Sequence, residues 1–278
     1  MKELKTVIER VFDGSETLSS GQFEALFSRF IGELNSGRIR AASPVQDDWE
    51  INTWVKKGIL LGFRYGHLTD CSGNHLFPYF DKHTYPLRPV VLKDKIRIVP
   101  GGTSIRTGSF VAPGVVIMPP AYINVGAYVD ADSMIDSHAL VGSCAQIGKR
   151  VHVSAAAQIG GVIEPIGALP VIIEDDVLVG GNCGIYEGVI VKKRAVLGAG
   201  TILTSAIAVY DIVNERILRS SAGRPLTIPG NAVVVPGSRP LLKSEFARVN
   251  GLHLNCAVIV KYRDEKTDAA TALESALR

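Results

Sequence analysis

Ile123–Ile159 reads INVGAYVDADSMIDSHALVGSCAQIGKRVHVSAAAQI, and a branched aliphatic residue stands at every sixth place: Ile123, Val129, Ile135, Val141, Ile147, Val153 and Ile159. The same phase reaches back through Ile117 to Val111. It slips by two across Gly160–Val171 (GGVIEPIGALPV) and resumes at Ile173, Val179, Ile185, Val191, Leu197 and Leu203. All fifteen positions are Val, Ile or Leu. With 46% apolar residues in the chain, chance agreement in one fixed phase is about 10⁻⁵.

Four residues after most of these comes a small or β-branched residue, as at Ala121, Ala127, Ser133, Ala139, Ala145 and Val151. Glycine or a short polar residue commonly follows the aliphatic one, as at Asn124, Asp130, Asp136, Gly142 and Gly148. A helix has no use for a period of six, and its glycines weaken it. An ordinary strand alternates at two and stops after five or six residues. A coil of short strands satisfies the pattern. Each hexad makes one flat side, three hexads close a triangle, and stacked coils pile identical inward positions into ladders. Fifteen hexads give about five coils, and Gly160–Val171 is expected to leave a corner as a loop.

The remaining composition narrows the function. The chain has 278 residues, 21% of them charged, enough apolar content for a sizeable core and too much for disorder. Thirty basic against 27 acidic residues leave +3, too even a balance for a dedicated nucleic-acid binder. Cys71, Cys144, Cys183 and Cys256 form no C-x-x-C pair, which predicts reduced thiols in a cytoplasm rather than a disulfide or zinc framework. Met1–Phe12 lacks the continuous apolar run of a secretory signal. Thr107–Val129 is free of charge, yet Pro113, Pro119, Pro120 and three glycines make it a poor membrane helix, so no membrane partner is expected.

Residues 1–100 read as a separate α-helical unit. Leu4, Val7, Ile8 and Val11 share one helical face; Phe23, Phe27, Phe30 and Leu34 share another, ended by Asn35-Ser36-Gly37. Trp49–Phe63 (WEINTWVKKGILLGF) predicts a third helix, and Cys71–Pro89 reads as irregular. The repeat domain is placed at 101–237, with a hairpin around Asn214-Glu215 and a strand at Asn231–Pro236. A cap at 238–278, with a strand over Cys256–Tyr262 and a helix over 265–278, is expected to cover the open end of the coil.

Asn124–Gly148, Gly160–Pro165, Ile173–Asp175, Glu187–Val191, Cys256–Lys261 and the stretch WVKKGILLGF together resemble the tetrahydrodipicolinate N-succinyltransferase family over most of the chain. The hexads are shared with all hexapeptide acyltransferases. YVD…MID followed by VGSCAQIG is the specific part. The resemblance implies a left-handed parallel β-helix with an α-helical N-terminal domain and a small C-terminal cap. It also implies a homotrimer with active sites in grooves between neighbouring coils. Its reaction moves succinyl from succinyl-CoA to the amine of opened tetrahydrodipicolinate in diaminopimelate and lysine biosynthesis, without a prosthetic group.

By that resemblance Asp136, directly after inward Ile135, matches the aspartate near the acceptor's amine. A general base there contributes ~10²–10⁴-fold. Glu187 matches the second glutamate of the family's A-R-S-E-V-V-E-G, whereas the first falls on Gly184 in Gly181–Gly188 (GNCGIYEG). Arg97 matches the arginine that grips a substrate carboxylate through two parallel hydrogen bonds, with Arg106 as its rival. His138 and His152 are weaker base candidates. Cys144 has no evident base beside it, and direct transfer needs no nucleophile. For CoA, Gly160, Gly161, Gly180 and Gly181 would let pantetheine approach the backbone, and Lys192 and Lys261 would meet phosphates. A hexapeptide carbonic anhydrase would need three histidines around a metal, and the repeat holds only His138 and His152. Two other readings stay open: an acetyl-CoA-dependent transferase of the same fold, and a non-enzymatic β-solenoid scaffold that binds no CoA thioester.

Overall fold

The computed structural model describes residues 1–73, 77–221 and 223–264. Its centre is a left-handed parallel β-helix whose two-residue strands stack into three faces. The first face runs from Arg97–Ile98 through Val116–Ile117, Met134–Ile135, His152–Val153, Leu178–Val179 and Val196–Leu197 to the longer strand Ala232–Pro240. The second face stacks Ser104–Ile105, Tyr122–Ile123, Leu140–Val141, Gln158–Ile159, Gly184–Ile185 and Ile202–Leu203. The third stacks Phe110–Val111, Tyr128–Val129, Gln146–Ile147, Ile172–Ile173, Ile190–Val191 and Thr227–Ile228. The chain visits them in that order in each coil.

Register follows the hexads. Tyr128 pairs with Phe110 on one side and Gln146 on the other, so a coil is three hexads long. Each of the fifteen repeat aliphatics points inward and is no more than 2% exposed, a burial worth ~1.5–3 kcal/mol apiece. The small residues four places on are buried beside them. The chain turns three residues after the aliphatic, where φ is positive at Gly114, Gly126, Asp132, His138, Cys144 and Arg150. The glycine directly after the aliphatic has another reason to be small. A Cβ on Gly142 would lie 2.3 Å from the amide nitrogen of Gly161, so coils stack too closely at that corner for a side chain.

The loop at Gly160–Val171 adds eight residues to one coil, because Gln146 pairs with Ile172 rather than with a residue three hexads away. After Leu203 the chain leaves the coil, forms the expected hairpin from Val209–Asp211 and Arg216–Leu218, and returns at Thr227–Ile228. Ala232–Pro240 then pairs antiparallel with His253–Tyr262 across a short helix at Glu245–Val249. Second and third faces each hold six strands, one more coil than counted from the repeat. The added strands are Ser104–Ile105 on the second face and Thr227–Ile228 on the third; Ile105 keeps the six-residue phase ahead of Val111, whereas Ile98 on the first face stands seven residues before Ile105. The helix expected over 265–278 lies outside the described residues.

Three helices, α1 (Lys2–Phe12), α2 (Ser20–Asn35) and α3 (Thr53–Tyr65), make the N-terminal unit. Ser19 and Gln22 form a capping box at the start of α2. Gly58 and Gly62, one turn apart on α3, leave room for the rings of Phe30 and Phe27; a Cβ on either glycine would overlap them. The third helix starts later than its sequence predicts. Asp48–Ile51 is a strand paired with Ala42–Val45, and Asn52 ends it by donating to the Arg40 carbonyl and Ser43 Oγ. Alternation outcompetes helix there because Trp49 turns to the coil, where its indole N–H donates to Glu174. Phe80–Lys82, within the segment read as irregular, pairs antiparallel with Leu68–Asp70 just before it. The uncharged Thr107–Val129 forms four coil strands, and among the described residues no helix is long and apolar enough to cross a membrane. The helical unit packs on the corner between second and third faces, through Val125 and Cys144.

Candidate active site

Asp136 lies on the corner between first and second faces. Its backbone N–H donates to Val153, that of Ser154 to Val179, and that of Gly180 to Leu197, so these three residues form one column through successive coils. Gly180 and Gly181 therefore share the corner of Asp136, two coils on. One carboxylate oxygen of Asp136 accepts from the Ser137 N–H at 2.8 Å. The other stands 3.7 Å from His152 Nε2 on the adjoining strand. Fixing one oxygen on the backbone holds the second at the coil edge, where an approaching ammonium can lose a proton to it. His138 is exposed at the same corner, two residues away.

Arg97 is exposed on the first face, two strands from Met134–Ile135 and so about 10 Å from it. Its rival Arg106 is committed elsewhere. The guanidinium pairs with Asp81 and lies 5.3 Å and 5.2 Å from the ring centroids of Phe63 and Tyr85.

Glu187 lies on the next corner, between second and third faces. A cleft of about 810 Å³ opens there between the 160–171 loop and the chain around Ser221 and Arg224, lined by Gly160, Gly161, Glu164, Tyr186, Glu187 and Arg224 among others. Glu187 accepts from Ser205 Oγ at 2.6 Å and from the Ser205 N–H at 2.7 Å. These bonds hold its carboxyl below the usual carboxylate value. Lys56 of α3, fully buried, donates to the Ala168 carbonyl and ties the loop to the helical unit. Burial pushes the lysine's pKa down. Nearby Cys144 is also fully buried, which pushes its thiol up to about 12. It is protonated near neutrality and unsuited to nucleophilic attack.

One chain thus does not bring Asp136 and Glu187 together: they stand at opposite edges of the second face. Gly160 and Gly161 line the cleft beside Glu187, and Gly180 and Gly181 accompany Asp136. The two lysines predicted for CoA phosphates lie apart from all four glycines. Lys192, on the third corner, donates to Glu174 at 2.9 Å and to the Asp47 carbonyl at 2.6 Å. It borders a separate cavity of about 630 Å³ with Arg40, Trp49 and Lys149. Lys261, on the last described strand, pairs with Asp264 at 3.3 Å.

Of two neighbours, the sequence ranks His152 only as a weak base candidate and leaves Tyr186 unmarked. His152 follows Met134 by three hexads, so strict register already places it beside the strand that leads into Asp136. Tyr186, which shares the cleft with Glu187, sits at a corner position where the repeat sets no residue type, and nothing in the spacing marks it.

Comparison with known proteins follows the same outline. The family described as tetrahydrodipicolinate N-succinyltransferase N-terminal matches residues 3–65, and that described as hexapeptide repeat of succinyl-transferase matches residues 170–205. A 2,3,4,5-tetrahydropyridine-2,6-dicarboxylate N-succinyltransferase of Gluconobacter oxydans is 42% identical over 291 residues, covering 99% of this chain and 98% of that protein. The protein of the same name from Nitrosococcus oceani is 40% identical over 287 residues, covering 100% and 99%. That from Aromatoleum aromaticum is 38% identical over 288 residues, again covering 100% and 99%.

Proposed function

Because the chain belongs to the tetrahydrodipicolinate N-succinyltransferase family and is an acyltransferase, we propose that it moves succinyl from succinyl-CoA to the amine of opened tetrahydrodipicolinate. The observation that carries this reading is the Asp136 carboxylate, fixed by the Ser137 amide at an accessible coil edge with its other oxygen 3.7 Å from His152 Nε2. That oxygen takes the proton as the acceptor's ammonium becomes an amine. The nitrogen lone pair attacks the thioester carbonyl, the C–N bond forms, and the carbonyl pair moves onto oxygen. Collapse breaks the C–S bond as the nitrogen, positively charged after attack, gives up its second proton to the departing CoA sulfur, which leaves as the thiol. No acyl-enzyme is needed, in keeping with the buried, protonated Cys144.

Arg97 is proposed to hold an acceptor carboxylate on the strength of the family match and its exposed place on the face that carries Met134–Ile135. Asp136 and Glu187 serve one substrate only if the corner of one subunit faces the next corner of another, and we assign them to a groove shared within a homotrimer. In that groove Gly180 and Gly181 come from the Asp136 side, and Gly160 and Gly161 from the Glu187 side, along the path for pantetheine. Lys192 and Lys261 remain proposals for the phosphates, and each would first have to exchange its present carboxylate partner. On this reading the protein works as a cytoplasmic enzyme of diaminopimelate and lysine biosynthesis.

The test is free-thiol release with the opened acceptor, comparing succinyl-CoA with acetyl-CoA. The proposal expects kcat/KM at least about tenfold higher for succinyl-CoA, a discrimination within reach of one carboxylate contact. Equal or better turnover of acetyl-CoA would establish the acetyl-transfer alternative instead.

A further inference from the structure

Tyr186 follows inward Ile185 at the end of the second face, and its ring folds back over two glycines. A Cβ on Gly184 would lie 2.6 Å from ring Cε2 and 2.8 Å from the hydroxyl oxygen. A Cβ on Gly160, one coil earlier, would lie 2.8 Å from ring Cδ1. Neither glycine has a positive φ, so both are small to make room and not to turn the chain. The two glycines form a bed that sets the phenol across the second face. Its hydroxyl occupies the outward position at Gly184, beside Gln158 in the strand ladder. Among the described residues no hydrogen bond reaches that hydroxyl. The ring nevertheless lines the cleft with Gly160 and Glu187.

We propose that the Tyr186 hydroxyl is a catalytic hydrogen-bond donor of the acyl-transfer site, aimed at the thioester carbonyl oxygen as it becomes an oxyanion. This rests on the acyl transfer proposed above. The side chain absent at 184 is replaced by one growing from 186: where the family motif reads E-V-V, this chain reads Gly184-Ile185-Tyr186. The replacement changes the chemistry. A phenol O–H donates a hydrogen bond to developing negative oxygen, a role no carboxylate could fill, and takes no proton from the amine. During attack the carbonyl pair moves to oxygen against the Tyr186 O–H, which stays intact. Asp136 holds the proton taken from the ammonium, and on collapse the C–S bond breaks as the nitrogen's second proton passes to the departing CoA sulfur. A preorganised donor of this kind contributes ~10²–10³-fold in kcat.

The test is steady-state thiol release with succinyl-CoA and the opened acceptor, on the wild type, Tyr186→Phe and Gly184→Ala. Phenylalanine keeps the ring on its glycine bed, so oligomeric state and melting temperature should match the wild type. The expected result is a fall in kcat of about 10² or more for Tyr186→Phe, with KM for succinyl-CoA within about twofold and an unchanged acidic limb of the pH profile. Gly184→Ala, whose Cβ would push the ring and its hydroxyl off the bed while leaving the phenol chemically intact, should lose kcat as well. Tyr186→Phe turning over at the wild-type rate, or losing only KM, overturns this inference and leaves the proposed function standing. A wild type that releases no thiol from succinyl-CoA overturns both.

Discussion

Asp136 is ordinary in sequence and specific in placement. A short acidic residue after the inward aliphatic also occurs at Asp130, on a different corner, where its carboxylate accepts from the next backbone amide in the same way. What sets Asp136 apart is the second oxygen, directed toward His152 and half-sheltered at the coil edge. Asp136→Asn keeps the amide contact and the shape while removing the base. It should lower kcat by ~10²–10⁴-fold, with melting temperature and oligomeric state unchanged, as read by thiol release, thermal unfolding and light scattering. Wild-type turnover in that variant would remove Asp136 from the chemistry. Resemblance singled out this residue, and spacing alone identified only its corner. Tyr186 was illegible because its role depends on a ring folding back over Gly160 and Gly184, and no one-dimensional pattern carries that fold-back.

At the scale of elements, the hexads were legible because each inward position is filled by one side chain of one shape, repeated too often for accident. The corners were harder. A strict count of six back from Val111 reaches Ile105 but fails at Ile98, seven residues earlier, and the chain leaves the coil between Leu203 and Thr227, so the count misses the strands at both ends. Trp49 was assigned to a helix because its apolar neighbours fit either period, and tertiary contact with Glu174 decided for strand. The terminal hairpin is pinned by a polar network that apolar patterning does not report. Burial alone would raise the pKa of Asp211, but Asn214, Tyr262 and Arg216 donate to its carboxylate and hold it at about 2. An unfolded aspartate titrates near ~3.9, so this group stabilises the fold by about 2 kcal/mol above pH 4 and loses that contribution as pH falls through 2. Asp211→Asn should therefore unfold at lower urea than the wild type at pH 7, with the gap closing toward pH 2. A gap independent of pH would contradict the assignment.

At the scale of the whole molecule, three corners of one prism carry three different tasks. The first bears Asp136, the second bears Glu187 beside the loop that Lys56 ties to the helical unit, and the third is occupied by the Trp49 strand and the Lys192–Glu174 pair. Division among corners means that a single chain holds half of the proposed groove at each of two edges. The direct test is complementation between inactive subunits, Asp136→Asn co-assembled in equal amounts with Glu187→Gln. The account predicts little turnover from either variant alone and roughly a quarter of the wild-type rate from the random mixture, because one groove in four then receives both intact carboxylates. A mixture no more active than its separate components would contradict it.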